Sequence, residues 1–200
     1  MINCEVYQNI TCNKICNFCG KNTHMCRQCP IETKMAPIFK KYIGTLIEKF
    51  IANKYMCTCC NKKTLIVLGN HTPSLDIICT SCLRKFEVKS KCLSIEHLPN
   101  NIILPHGSYD KYIERQNTGL DLFVVIYNVD RIKKIITIRE VLYATHKDIT
   151  INSNIKVVRR ELSNLSIINI KDRNLLTKME LDNIYKFDFS SLIDSYIELN

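Results

Sequence analysis

Two sets of residues between positions 57 and 89 have the spacing of two different metal sites. The first set is a C-x2-C-x18-C-x2-C arrangement of cysteines: Cys57, Cys60, Cys79 and Cys82. The second set is Asp76 and the tripeptide Glu87-Val88-Lys89. Thiolates suit a closed structural zinc site, whereas paired carboxylates suit a hard cation such as magnesium. The sequence therefore predicts a zinc ribbon at 57–82 that carries a second site for a hard cation.

The carboxylates and the lysine have the chemistry of phosphodiester hydrolysis. A cation held by Asp76 and Glu87, with the Val88 carbonyl as a third ligand, would stabilise charge at phosphorus and activate water. Lys89 would position or help to deprotonate that water. Asp-x10-Glu-x-Lys alone is also typical of a salt-bridged surface strand. Its location on either side of Cys79 and Cys82 favours the catalytic interpretation.

The first 33 residues contain another cysteine quartet. It has the spacing C-x2-C-x6-C-x2-C and consists of Cys16, Cys19, Cys26 and Cys29. We predict a small N-terminal zinc module at 1–33, because zinc can supply the folding energy that so short a segment lacks. Cys12 and His24 are alternative ligands, and a cysteine-rich tail without metal is the alternative to a zinc site.

Composition limits the class of protein and its partners. The chain has 200 residues and a formal net charge of +9, from 28 basic and 19 acidic residues. Such a charge favours an acidic partner, of which nucleic acid is the commonest. Twelve cysteines without a secretory signal indicate metal thiolates in a reducing compartment, so we expect an intracellular protein, in the cytoplasm or in a eukaryotic nucleus. No apolar run is long enough to cross a membrane.

Periodicity predicts an ordered series of elements. A long amphipathic helix over 34–55, with Pro37 in its first turn, precedes short strands at 64–68, 75–79 and 83–89. The remaining expectations are an irregular connection over 90–107, a helix over Ser108–Asn117, a hairpin of Leu122–Tyr127 with Ile132–Ile138, a short helix over Arg139–Ala144, strands within 155–170 and a helix over Ser190–Leu199. Period-two alternation in the third strand puts Glu87 and Lys89 on one face.

Several segments also resemble a known family. "SLDIICTSCLRKFEVKSK", "MCTCCNK", "HGSYDKYIERQ" and "DLFVVIYNVDRIKKIITI" are similar to the corresponding parts of the DpnI-like restriction endonucleases, a zinc-containing branch of the PD-(D/E)XK nucleases. The resemblance spans roughly residues 36–170. It implies a mixed α/β nuclease core around a central sheet, with an inserted zinc ribbon. It also implies that Asp76, Glu87 and Lys89 are the catalytic positions, with a carbonyl from Val88.

These inferences combine into one functional hypothesis. We expect residues 34–200 to form a PD-(D/E)XK nuclease domain that cleaves DNA with magnesium or manganese. We expect it to lack the family's C-terminal winged helix, since thirty residues follow residue 170 and such a domain needs about fifty. Predicted nucleic-acid contacts, any of which could instead belong to a solvated basic surface, are Ser90, Lys91, Lys111, Arg115 and Arg131.

Two other functions compete with this hypothesis. One is a zinc-ribbon module for transcription or assembly, in which a former nuclease core only binds nucleic acid or protein. An intact Asp76, Glu87 and Lys89 argues against that loss of activity. The other is a nuclease directed at RNA. Cleavage and competition measurements separate the three.

Overall fold

The structure is a computed structural model that describes residues 30–69, 75–93, 98–108, 119–151, 155–159 and 165–198. Its first element is a long helix. Helix α1 comprises Pro30–Lys54 and confirms the predicted amphipathic helix. The helix begins four residues before the predicted start at residue 34, so Pro37 lies in its third turn. The expectation that Pro37 lies in the first turn was therefore wrong. Proline has no N–H, so the helix there lacks one backbone hydrogen bond. The N-terminal zinc module, with Cys16, Cys19, Cys26 and Cys29, lies outside the described residues.

Ten strands, two shorter α-helices and one turn of 3-10 helix (Arg173–Leu175) follow within the described residues. In chain order the strands and α-helices are β1 (Leu65–Val67), β2 (Ile77–Cys79), β3 (Lys85–Cys92), β4 (Ile102–Ser108), β5 (Asp121–Asp130), β6 (Ile135–Ala144), α2 (His146–Ile151), β7 (Ile155–Arg159), β8 (Leu165–Ile170), β9 (Thr177–Met179), β10 (Lys186–Asp188) and α3 (Ser190–Glu198). The predicted hairpin, the strands within 155–170 and the last helix are thereby confirmed.

The larger sheet is mixed. Its strand order is β1-β2-β3-β5-β6-β10, and β9 pairs with β6 as well. Strands β3 and β5 are parallel, with Phe86 opposite Asp121 and Cys92 opposite Tyr127, and the other pairs are antiparallel. A smaller antiparallel sheet has the order β4-β8-β7. The chain is therefore a mixed α/β protein.

Two apolar cores lie on opposite faces of the larger sheet. Residues of α1, such as Ile47 and Ile51, share one core with Phe86 and Phe123. Residues of β4 and β8, such as Leu104 and Ile168, share the other core with Leu122 and Val124 of β5. Strand β5 is buried on both faces, which explains its nearly continuous apolar sequence. The larger sheet therefore lies between α1 and the smaller sheet.

Three expectations about local structure were wrong. Residues 139–144 are not a helix but the second half of β6, where they pair with β5 next to a register shift at Ile126/Tyr127. Residues 90–107 are not irregular throughout, since they contain the end of β3 and most of β4. Ser108 ends β4 and so does not begin a helix; the rest of that predicted helix lies outside the described residues. Pairing with distant strands overrides local propensity at each place.

The helices of the described residues do not include one that is both long enough and apolar enough to cross a membrane.

Candidate functional site

The four cysteines of the predicted zinc ribbon converge on one point. Their sulfur atoms all lie within 4.8 Å of one another. Cys57 Sγ lies 3.5 Å from Cys82 Sγ, and Cys60 Sγ lies 3.6 Å from Cys79 Sγ. Tetrahedral zinc with Zn–S bonds of about 2.3 Å would separate its sulfur ligands by about 3.8 Å. The thiolate set and its spacing therefore fit one structural zinc ion.

The two C-x2-C segments fold in the same way. The Asn61 amide donates to the Cys57 carbonyl at 2.8 Å, and the Leu83 amide donates to the Cys79 carbonyl at 2.9 Å. Each of the two donors follows the first cysteine of its pair by four residues. Both adopt a left-handed backbone, with φ of 55° at Asn61 and 59° at Leu83. Two equivalent knuckles thus present their sulfurs to a shared centre.

A buried carboxylate, Asp121 at the start of β5, joins the second knuckle to the sheet. It is 1% exposed. Arg84, two residues after Cys82, forms a two-pronged ion pair with it, in which Arg84 Nε donates to Asp121 Oδ2 at 2.7 Å. The His146 amide donates to Asp121 Oδ1 at 2.7 Å. A paired buried carboxylate of this kind fixes the positions of its donors.

Tyr143 of β6 extends the same network to the first knuckle. Its hydroxyl donates to Asp121 Oδ2 at 2.6 Å and accepts from Thr58 Oγ1 at 2.8 Å. Thr58 lies between Cys57 and Cys60. Burial raises the pKa of Tyr143, and its hydrogen bond to Asp121 raises it further, so the phenol remains protonated. Both knuckles are therefore fastened to the central strands through Asp121.

The residues predicted for the hard-cation site lie where β2 and β3 separate. Asp76 immediately precedes β2, and its Oδ2 accepts a hydrogen bond of 2.7 Å from the Val88 amide. Glu87 is 6% exposed, and its Oε1 lies 2.7 Å from Lys89 Nζ. Glu87 and Lys89 thus share one face of β3, as alternation predicted. The structure brings Asp76, Glu87, Val88 and Lys89 to one end of the sheet.

The direction of the Val88 carbonyl matters because that oxygen was predicted to be a third ligand of the hard cation. The Phe86 carbonyl accepts from the Asp76 amide at 3.3 Å, and the Val88 amide points to Asp76 as well. The N–H and C=O of one strand residue point to the same side. The Val88 carbonyl consequently faces the Asp76 side of β3, beyond the last residue that pairs with β2.

Sequence reasoning missed Glu48, a half-buried residue of α1. Burial raises the pKa of Glu48 to about 7; the charge of Asp76 raises it too, and the charge of Lys89 lowers it. Because Glu48 interacts electrostatically with both Asp76 and Lys89, it lies near the end of the sheet where those two residues are. No spacing pattern in the sequence marked Glu48, since α1 also contains the acidic Glu32. Within the described residues, Glu48, Asp76 and Glu87 do not place three carboxylate oxygens within 4.8 Å of one another.

The predicted nucleic-acid contacts are spread over the molecule. Lys91 lies on the same face of β3 as Glu87 and Lys89, whereas Ser90 lies on the α1 face. Arg131 is exposed in the β5–β6 turn, nine residues beyond the Leu122 that pairs with Glu87, or about 30 Å along the strand. Lys111 and Arg115 lie outside the described residues.

Comparison with known proteins identifies the family. No curated protein matches the chain. The profile of the DpnI family, described as the Dam-replacing family, matches residues 31–171, which are 141 of the 200 residues. The matched region includes α1 except Pro30, the zinc ribbon and the predicted hard-cation site, but not the cysteines of the predicted N-terminal zinc module. The chain therefore belongs to the DpnI, or Dam-replacing, family of restriction-type nucleases, as the resemblance of its zinc-ribbon segment indicated.

Proposed function

We propose that this chain is a metal-dependent DNA endonuclease with a PD-(D/E)XK core, in which Asp76, Glu87 and Lys89 are the catalytic residues. One observation carries the proposal: the Asp76 carboxylate is bound to the backbone of the Glu-x-Lys strand through the Val88 amide at 2.7 Å. That contact joins Asp76, just before β2, to the strand that carries Glu87 and Lys89, which supports a shared site. Membership of the family supports both nuclease activity and DNA as the substrate.

The donor set suits magnesium. Carboxylates of Asp76 and Glu87 and the carbonyl of Val88 are oxygen ligands, which magnesium prefers, and it keeps several waters as well. When bound, the ion supplies Lewis-acid stabilisation and lowers the pKa of bound water. Lys89 Nζ would hold the attacking water and offset charge on the phosphate. Its pairing with Glu87 Oε1 keeps the ammonium group beside the carboxylates.

DNA contacts are proposed on the face of β3 that carries Glu87. Lys91 lies two residues beyond Lys89 on that face, where its charge would attract a phosphate near the site. Lys111 and Arg115 remain proposals from sequence, as do the zinc module at 1–33 and the domain boundary at residue 34. Ser90 and Arg131 lie less favourably, the first on the α1 face of β3 and the second in the turn beyond the end of β5.

Plasmid cleavage tests the proposal. The zinc-loaded protein is incubated with methylated or unmethylated plasmid and with magnesium or manganese. We expect wild type to cleave and Glu87→Ala to lose activity by several orders of magnitude, while its zinc content stays unchanged. Glu180→Ala removes an exposed glutamate and serves as the control.

The same experiment separates the competing functions. DNA binding without cleavage, in a folded protein with zinc and either cation, would favour a non-catalytic zinc-ribbon module. Preferential cleavage of single-stranded RNA over duplex DNA would favour an RNA-directed nuclease. Equal activity in wild type and Glu87→Ala would refute the assigned site.

A further inference from the structure

A cleft that is distinct from the proposed active site lies along the C-terminal half of α1. It has a volume of about 550 Å³, and among its lining residues are Lys49, Phe50, Lys63, Tyr185 and Phe187. This volume lies within the range of about 300 to 1,000 Å³ that is usual for small-molecule sites. We name it the α1 cleft.

The α1 cleft and the proposed active site lie on different sides of the helix. Leu46 and Phe50 line the cleft, and each is two residues from Glu48. At 3.6 residues per turn, Glu48 therefore projects about 160° away from both. Asp76, Glu87 and Lys89 do not line the cleft. A ligand could thus occupy the α1 cleft without blocking the Glu-x-Lys strand.

Aromatic rings form one wall of the α1 cleft. The ring of Phe50 meets that of Tyr185 edge to face at a centroid distance of 4.9 Å, and that of Phe187 at 6.0 Å. Tyr185 and Phe187 are half-buried, so part of each ring faces solvent. Such a wall favours a ligand that has a flat ring of its own.

Lysines form the rim. Lys54 Nζ lies 2.5 Å from Asp182 Oδ2 and 5.5 Å from the centre of the Tyr185 ring. Lys49 and Lys63 are exposed. With three lysines against one aspartate in its lining, the α1 cleft has a formal excess of two positive charges. It is therefore complementary to an anion.

A nucleotide combines both properties, since its base is a flat ring and its phosphate is an anion. Single-stranded nucleic acid is commonly bound by aromatic side chains that stack on bases and by basic residues along the backbone. We propose that the α1 cleft binds one or two nucleotides of a single-stranded nucleic acid, with Phe187 and Tyr185 against the bases and Lys49 and Lys63 at the phosphates. This site goes beyond the proposed endonuclease function and does not depend on it.

Binding is measured with full-length, zinc-loaded Glu87→Ala protein without magnesium, so that the oligonucleotide stays intact. The probe is a short fluorescent oligothymidylate, followed by anisotropy. We expect Lys49→Ala/Lys63→Ala to weaken binding roughly tenfold and to lower the salt dependence by about 1.4 in log–log slope, since each contact with single-stranded phosphate contributes about 0.7. Lys40→Ala/Lys41→Ala removes the same charge from exposed positions of α1 outside the cleft and should have little effect.

Three further measurements locate the bases. Phe187→Leu keeps an apolar side chain but removes the ring, and we expect several-fold weaker binding by a protein that remains folded at the temperature of the assay, as circular dichroism can verify. An oligothymidylate containing 4-thiothymidine should crosslink to residues 182–187 or 46–54. An abasic oligomer of the same length should bind more weakly than oligothymidylate.

Specific results would overturn the proposal. Equal losses in the two lysine pairs would mean that general charge alone drives binding. Equal affinity for the abasic oligomer, together with full competition by polyglutamate, would indicate a site for acidic peptides. Crosslinks confined to the β3 face would also refute it. Plasmid cleavage by wild type is independent of these outcomes, so the endonuclease proposal and the cleft proposal can fail separately.

Discussion

Glu48 is a half-buried carboxyl group whose surroundings favour its neutral form, with a pKa raised from 4.5 to about 7. The folded protein therefore binds more protons than the unfolded chain between these two pH values. Stability should fall as pH rises from 4.5 to about 7 and then level off. With allowance for solvent screening, we expect a decrease on the order of 1 kcal/mol.

Glu48→Gln should remove that part of the pH dependence. Urea unfolding of the magnesium-free protein from pH 4.5 to 8 measures it, and Glu180→Gln is an exposed control. The same slope in wild type and Glu48→Gln would contradict the assignment. If Glu48 also takes part in binding a divalent cation, Glu48→Gln will weaken magnesium binding in a calorimetric titration.

Leu83 has a left-handed backbone that costs a leucine roughly 1 to 2 kcal/mol, and its side chain is 69% exposed. Asparagine tolerates this conformation better and occupies the equivalent position 61 in the first knuckle. We expect Leu83→Asn to stabilise the zinc-loaded protein by about 1 kcal/mol and Asn61→Leu to destabilise it by a similar amount. Guanidinium unfolding measures both, and a change of the same sign in the two variants would refute the equivalence of the knuckles.

The two knuckles depend on Tyr143 for part of their attachment to the sheet. Tyr143→Phe leaves Asp121 and Thr58 each without one hydrogen-bond partner, which should cost about 1 to 3 kcal/mol. We also expect faster zinc loss to a chelator, followed with a chromogenic zinc indicator. Tyr127→Phe, on the neighbouring strand β5, is the control. Unchanged zinc release in Tyr143→Phe would show that the knuckles hold without the network.

Local sequence patterns were sufficient to predict the elements whose conformation depends on residues close in sequence. The apolar period of α1 and the alternation of Glu87 and Lys89 were both predicted and observed. Residues 139–144 were misassigned because a short apolar run with glutamate, leucine and alanine fits either a helix or a buried strand. Its strand conformation depends on pairing with β5, which no local pattern contains.

The candidate site, too, could be predicted from the sequence only where its residues form a local pattern. The spacing of Asp76, Glu87 and Lys89 and of the four cysteines was visible in the sequence. The roles of Glu48 and Asp121 were not visible in the sequence. Each residue comes close to its partners only when its own element, α1 or β5, packs against the segment 76–89. Single acidic residues without a spacing pattern carry no such signal.

The fold extends beyond the part that matches the family. The matched region ends at residue 171, yet β9 and β10 pair with β6 and thereby join the larger sheet. Phe189 is 0% exposed and its ring lies 4.9 Å from that of Phe39 in α1. Phe189 and Ile193 therefore belong to the same apolar core as α1, and other apolar residues of β9, β10 and α3 pack against it.

Phe189→Ala should consequently destabilise the whole domain. Removing a fully buried phenylalanine costs about 3 to 5 kcal/mol. Ile184→Ala, at a position that is 74% exposed, should change stability by less than about 0.5 kcal/mol. Thermal unfolding followed by circular dichroism compares the two. A small effect of Phe189→Ala would mean that the C-terminal strands are dispensable for the fold.

The ribosome makes the zinc ribbon before β5, and this order affects how β5 pairs with β3. Cys82 leaves the ribosome before Asp121, so zinc can close the ribbon before β5 has emerged. A closed ribbon fixes where β3 begins, and β5 must then align Asp121 with Phe86. A slip of one residue in β5 would turn Asp121 and the alternating apolar side chains of β5 to the wrong faces of the sheet. Zinc present from the start of refolding should therefore recover more native protein than zinc added afterwards.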